Sequence, residues 1–310
     1  MPVNDYRIYH NKQDLENRIR SLHDNPQLAV GLLDVGSHEQ LEHALAWYVE
    51  NLNYDIHVLT GDDQLNVRQL QETYPSVSFI VFSSRGFSGE KINAFALECK
   101  TNYFLIVRSD AELIRFDGER LFSTMERKEH PAMVAPVLAN SEREIVPCVR
   151  IPKLKEGRLD RECAFPNMAD DAKADTLYPL MELGLYDRAL FQRLRGYDEQ
   201  IHSEYWQALD WGIRCWELGH PIYMSRTLLV QFPDRLSVIE DLSEVGGYQR
   251  CCTKALGIRQ NVGGKNSARR PARDYDRESF KGEVKTRLVW LVKQDYAHVV
   301  SGWMKGETKA

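Results

Sequence analysis

Much is missing from this 310-residue chain, and each gap removes a class of protein. Its six cysteines form no Cys-x-x-Cys pair and none stands at zinc-like spacing from a histidine, so neither a zinc ribbon nor a dithiol redox motif is encoded. They read instead as buried thiols of a reducing compartment. No apolar run approaches the roughly 20 residues that cross a bilayer, and the opening MPVNDYRIYHNKQ is too polar for a signal peptide. The expected location is therefore the cytoplasm. Net charge is −5, which gives no basic surplus for nucleic acid; an anionic ligand would need a local site. There is no internal repeat, and GLLDVGSHEQ, at the first apolar segment, lacks the glycines of a phosphate loop.

What is present is alternation. LAVGLLDVGS reads as a strand, and Ser37 with Gln40 makes a capping box before the helix HEQLEHALAWYVENL. DIHVLTGDD, VSFIVFSSRGFSG and YFLIVRSD read as further strands, separated by the helices at Leu65 to Tyr74 and EKINAFALECK. Strands apolar on both faces, alternating with amphipathic helices, predict a mostly parallel sheet covered on both sides. In such sheets ligands bind beyond the carboxyl ends of the strands, where Asp34, Asp62, Asp63 and Asp110 all fall.

The second half is less regular. AMVAPVL and EIVPCVRI predict strands, and the charged stretch from Lys153 to Thr176 predicts a long loop. LGLYDRALFQRLRGYDEQ predicts a strand, a helix and a turn. SEYWQALDWGIRCWELGHPIYM predicts an amphipathic helix closed by Gly219, then a strand. The expected division is a helical lead-in at 1–27, an α/β domain at 28–257, a basic linker at 258–282 and an amphipathic helix at 283–310. Arg269, Arg270, Arg273 and Arg277 precede that last helix, which carries Trp290 and Trp303. Its apolar face suits packing on the domain, a second subunit, or an anionic membrane surface at the inner face of the cell membrane.

Over residues 28 to 230 the chain resembles the family 2 glycosyltransferases of the GT-A fold. The strand–helix–strand order ending at LTGDD, the run INAFALECKTNYFLIVRSDAEL, and LYDRALFQRLRGYDEQ followed by LDWGIRCWELGHPIYM carry the resemblance. It implies a Rossmann-like sheet with helices on both faces, a nucleoside-diphosphate sugar as donor and a saccharide or lipid-linked hydroxyl as acceptor. It also implies an inverting transfer in polysaccharide or glycoconjugate synthesis. Asp110 matches the last acid of the family's Asp-x-Asp motif and would hold Mn2+ or Mg2+; the first acid is replaced by Arg108. A guanidinium there can take over part of the diphosphate's charge through bidentate contacts, which lowers the demand for metal; alternatively, Arg108 is a solvated strand end. Gln207 and Ala208 stand where the family's acidic pair belongs, leaving Asp210 and then Glu204 as candidate bases. For Asp210 the alternative is an ion pair with Arg214 one helical turn on. Asp34, Asp62 and Asp63 would face the nucleoside, with helix capping as the other use of these acids. Lys91, Asn93 and Ser109 complete the expected donor site. The competing reading is a non-catalytic GT-A-like protein that binds a nucleotide sugar or a partner enzyme.

Overall fold

The computed structural model describes residues 6–12, 27–61, 65–83, 86–167, 173–261, 264–271, 273–289 and 292–307. β1 (Tyr6–Tyr9) runs antiparallel along the edge of the sheet, where a helical lead-in was expected; the remainder of that expected helix falls mostly outside the described residues. β2 (Leu28–Leu33), β3 (Asp55–Thr60), β4 (Val77–Phe82) and β5 (Tyr103–Arg108) follow, parallel and in the spatial order β4-β3-β2-β5. Every residue of β2 is buried, because the crossover helices α1 (His38–Asn51), α2 (Val67–Thr73) and α3 (Ser88–Glu98) cover both faces of the sheet. The capping box at Ser37 and Gln40 forms as the sequence predicts. The chain winds outward from β2 to β4, then returns to the far side of β2 to make β5. That reversal opens a crevice at the carboxyl ends of β2 and β5.

Beyond β5 the sheet becomes mixed. β6 (Glu112–Phe116), α4 (Gly118–Met125) and β7 (Met133–Ala139) come next. β8 (Val149–Lys155) and β9 (Arg158–Ala164) form an antiparallel hairpin; β8 overlaps the strand expected at EIVPCVRI, and β9 falls where the sequence predicted a loop. Glu156 and Gly157 both adopt positive φ, the geometry of a tight hairpin turn, and the charge of β9 hid its alternation. β10 (Lys173–Asp175) and β11 (Gly184–Asp187) precede α5 (Arg188–Arg193) and α6 (Glu204–Leu218); β12 (Ile222–Gln231) and α7 (Val245–Leu256) complete the domain.

Packing against β11 fixes α6. Phe104 stacks on Tyr186 with ring centroids 4.8 Å apart, while Phe191, Tyr197 and Trp211 close around them. Gly212 faces the chain at Leu177 and Tyr178, where a Cβ would collide with the Leu177 carbonyl. The helix therefore lies closer to the 177–178 segment than a side chain at 212 would allow.

The expected basic linker contains a small hairpin, β13 (Ile258–Gln260) with β14 (Asn266–Ala268). The expected single C-terminal helix is divided. One helical run, α8, covers 277–289, and α9 spans Tyr296–Glu307. Asp295 stands between them and accepts from the His298 backbone N–H at 2.9 Å. Tyr296, Val299 and Val300 are buried with Tyr205, Leu209 and Ile213 of α6, so the domain itself covers one face of α9. Among the described residues no helix is long and apolar enough to cross a membrane.

Candidate functional site

Asp34 follows β2 directly, and Asp110 follows β5 by two residues. Ser109 ties the two ends together: its hydroxyl donates to the Val35 carbonyl at 2.6 Å and accepts from the Val35 N–H at 2.9 Å. Asp34 in turn accepts from the Thr60 hydroxyl of β3 at 2.6 Å. The expected gathering of acids at one sheet edge is therefore present for Asp34 and Asp110. Asp62 and Asp63 lie outside the described residues.

Arg108 is the centre of the crevice. Its guanidinium is 4% exposed and holds Asp110 with two donors, Nε at 2.9 Å and Nη2 at 3.2 Å. Nη1 reaches Glu204 at 3.3 Å. Three of five N–H groups are thus used, and two remain without an acceptor among the described residues. Arg235, on the loop after β12, also pairs with Asp110. Burial alone would raise the pKa of Asp110, but the hydrogen bonds and charges of Arg108 and Arg235 overcome it and hold the carboxyl below its ordinary value.

Two cavities flank this cluster. The first, about 330 Å³, is walled by Asp34, Gly36, Gly61, Gly86, Phe87, Ser88, Lys91 and Glu204. The second, about 340 Å³, lies over Arg108 and Arg235 and is rimmed by Phe87, Met181, His202, Tyr205 and Glu204. Phe87 and Glu204 belong to both walls. A larger cavity of about 560 Å³ lies elsewhere, among Arg195, Asp198, Arg214 and Arg250; it touches neither Arg108 nor Asp110, so size does not mark the site. Lys91, 8% exposed, forms no hydrogen bond or ion pair with the described residues. Burial lowers its pKa, opposed by the charges of Asp34 and Glu204. It sits in the first turn of α3, whose N-cap residue, Phe87, supplies no capping hydrogen bond. An ammonium and a helix start without a side-chain cap, both in the wall of one hollow, suit an anion.

Two expectations are corrected here. Asp210 does not reach either cavity. It is 2% exposed and held by Arg214 at 2.9 Å and Lys254 at 2.8 Å, inside a network that Asp198 and Arg250 extend. Burial would raise its pKa, yet Lys254 and Arg214 hold it down; a carboxylate with those partners has no lone pair facing a substrate. Glu204 instead lies in the walls of both cavities, with a side chain 41% exposed. Asn93 also turns away. Its side chain donates to the Tyr197 carbonyl at 2.9 Å and accepts from the Tyr197 N–H at 2.8 Å, and so fastens α3 to the turn before α6.

The surroundings of Asp110 bear on the expected metal. Both Asp110 oxygens accept from guanidinium groups, and among the described residues no three His, Cys, Asp or Glu side chains converge as ligands. A divalent cation needs hard oxygens free of competing cations, so this donor set does not fit one.

Sequence reasoning missed Arg235, Phe87 and Glu182. Arg235 lies in an ordinary QFPDRLS loop, and only the course of β12 brings it to Asp110. Phe87 stacks on His202 with centroids 5.4 Å apart, a contact invisible to spacing. Glu182 did carry a signal: it is the lone acid in the apolar run LYPLMELGLY, where a charge needs a reason.

No protein-family model matches the sequence, and no curated protein matches it. Solved structures do. The chain is similar to the crystal structure of GalNAc-T7 with UDP, GalNAc and Mn2+, at a TM-score of 0.58 and 9% identity over 92% of this chain and 55% of that one. The fold is GT-A. A structure of S. aureus TarS aligns at TM-score 0.44 and 11% identity, over 64% of this chain and 36% of that one. The chain thus spans about half the length of the GalNAc-T7 chain.

Proposed function

We propose that this protein is a family 2-like glycosyltransferase that moves a sugar from a nucleoside-diphosphate sugar to a hydroxyl acceptor with inversion. The observation that carries the proposal is a half-exposed carboxylate, Glu204, set between two cavities over an arginine with two uncommitted N–H groups. The nucleoside and its phosphates occupy the Asp34–Lys91 lobe, and the acceptor saccharide enters the lobe lined by Tyr205, His202 and Phe87. Aromatic faces of this kind suit the apolar side of a sugar ring.

In the reaction, the acceptor oxygen attacks the anomeric carbon while the bond from that carbon to the diphosphate oxygen breaks. The bonding electron pair leaves with the diphosphate. Glu204 takes the hydroxyl proton, as a half-exposed carboxylate shared by the walls of both cavities. Arg108, Arg235 and Lys91 supply the positive charge that the leaving group needs, so that transfer depends less on metal than the Asp-x-Asp resemblance implies. The acceptor is a saccharide or a lipid-linked saccharide.

A second reading has one observation in its favour. Asp110 is fully engaged by two arginines, which also suits a protein that binds a nucleotide sugar without turning it over. Incubation of the purified protein with a panel of nucleoside-diphosphate sugars and product analysis, with and without chelator, separates the two. Sugar transfer or donor hydrolysis that survives chelator and disappears in Glu204→Gln supports the transferase. Tight donor binding with no turnover of any kind supports the binder.

A further inference from the structure

Beneath Arg108 lies a carboxyl group that the proposed reaction does not use. Glu182 is 0% exposed, and neither of its side-chain oxygens has a hydrogen-bond partner among the described residues. A buried carboxylate in that state is costly and the neutral acid far less so. The groups that face it come from every neighbouring element: Arg108 from β5, Glu204 from α6 and Ser88 from α3, with the Tyr186 and Tyr197 hydroxyls from β11 and the turn after α5. Burial raises its pKa well above the ordinary range, and the charge of Glu204 reinforces the shift.

The backbone holds the group there at some cost. Met181 and Glu182 are two successive non-glycine residues at positive φ, 54° and 60°, and such strain persists only where the surroundings over-determine it. The Tyr186 hydroxyl donates to the Glu182 carbonyl and meets the Tyr197 hydroxyl at 2.6 Å, which pins the strained turn to the aromatic core. An acid buried without partners, on a strained turn, beside the arginine of the candidate site is an unusual investment for packing alone.

We propose that Glu182 is a positioning residue for the donor's phosphates: as the neutral acid it leaves the two uncommitted N–H groups of Arg108 to the ligand, and as the carboxylate it takes them. Phosphate and an ionised Glu182 then compete for one guanidinium. This inference rests on Arg108 being a phosphate ligand, as the proposed function holds; it does not require that sugar be transferred.

The test is calorimetric binding of inorganic pyrophosphate to the full chain in chelator from pH 6.5 to 10, for wild type and Glu182→Gln. The ratio of the two dissociation constants at each pH cancels the titration of pyrophosphate itself. Near pH 6.5 the ratio is expected to be close to one. At higher pH the wild type should weaken relative to Glu182→Gln, approaching tenfold per pH unit once Glu182 has lost its proton. A ratio that stays constant to pH 10 overturns the proposal. If Glu182→Gln does not fold, proton uptake by wild type answers the same question: binding at pH 9, repeated in buffers of different ionisation enthalpy, should take up protons beyond those bound by pyrophosphate. Uptake that pyrophosphate alone accounts for overturns it. Absence of pyrophosphate binding by wild type at every pH would overturn the role of Arg108 as well, whereas normal, pH-coupled binding without sugar transfer would sink only the transferase.

Discussion

Helix α6 carries two acids six residues apart that meet opposite fates. Asp210 is enclosed by Arg214 and Lys254, and every charge around it is answered by another. Glu204, at the first position of the helix, has one long contact to Arg108 and otherwise opens onto two cavities. Paired charges that exclude solvent specify a structure, and incompletely paired ones beside a hollow are available for chemistry. The sequence presents Asp210 as the better base, because the family pattern aligns on it. Burial decides otherwise.

Removing one charge from each cluster should separate them. Asp210→Asn leaves Lys254 and Arg214 short of a partner in a closed interior, and is expected to cost about 3–5 kcal/mol in denaturant unfolding. A variant as stable as wild type yet inactive would return Asp210 to the active site. Glu204→Gln should do the reverse. Its stability is expected to change by less than about 1 kcal/mol, while turnover falls on the order of 10²- to 10⁴-fold with donor affinity within a few-fold.

Glu217, at the far end of the same helix, sharpens the contrast through pH. Burial, partly offset by Arg287, pushes its pKa from 4.5 up to about 7. The folded state therefore binds the extra proton between those values. Glu217's contribution to stability is greatest below about pH 4.5 and declines as pH rises to about 7, by at most a few kcal/mol. Glu217→Gln should flatten that decline in thermal melts between pH 5 and 8. Asp210 and Asp198, both held below their ordinary values, act in the opposite sense, since their contribution is kept above about pH 4 and lost as pH falls through the folded values. The smallest effect is expected from Arg235→Ala. Its side chain is 32% exposed, and Arg108 remains, so donor affinity should weaken about tenfold; no change would leave Arg108 as the sole holder of the diphosphate.

Several features were legible in the chain before any fold was known. The parallel strands announced themselves as six-residue apolar runs between amphipathic helices, and the Ser37 capping box set the start of α1. The edge that gathers Asp34 and Asp110 followed from strand polarity. The β8–β9 hairpin was not legible, because Arg158, Asp160, Arg161 and Glu162 masked its alternation. The division of the C-terminal helix was also hidden, since its apolar spacing runs on without regard for the cap at Asp295.

By itself, then, the sequence determined where strands end and which charges stand at those ends, since period and composition are local properties. Only the tertiary structure decided which of those charges are spent on one another. Arg235 comes to Asp110 across 125 residues, Lys254 to Asp210 across 44, and Glu182 sinks beneath Arg108 with no hydrogen bond to either oxygen from the described residues. Solvent exclusion and pairing depend on the whole packing arrangement, so no local pattern could have ranked Glu204 above Asp210.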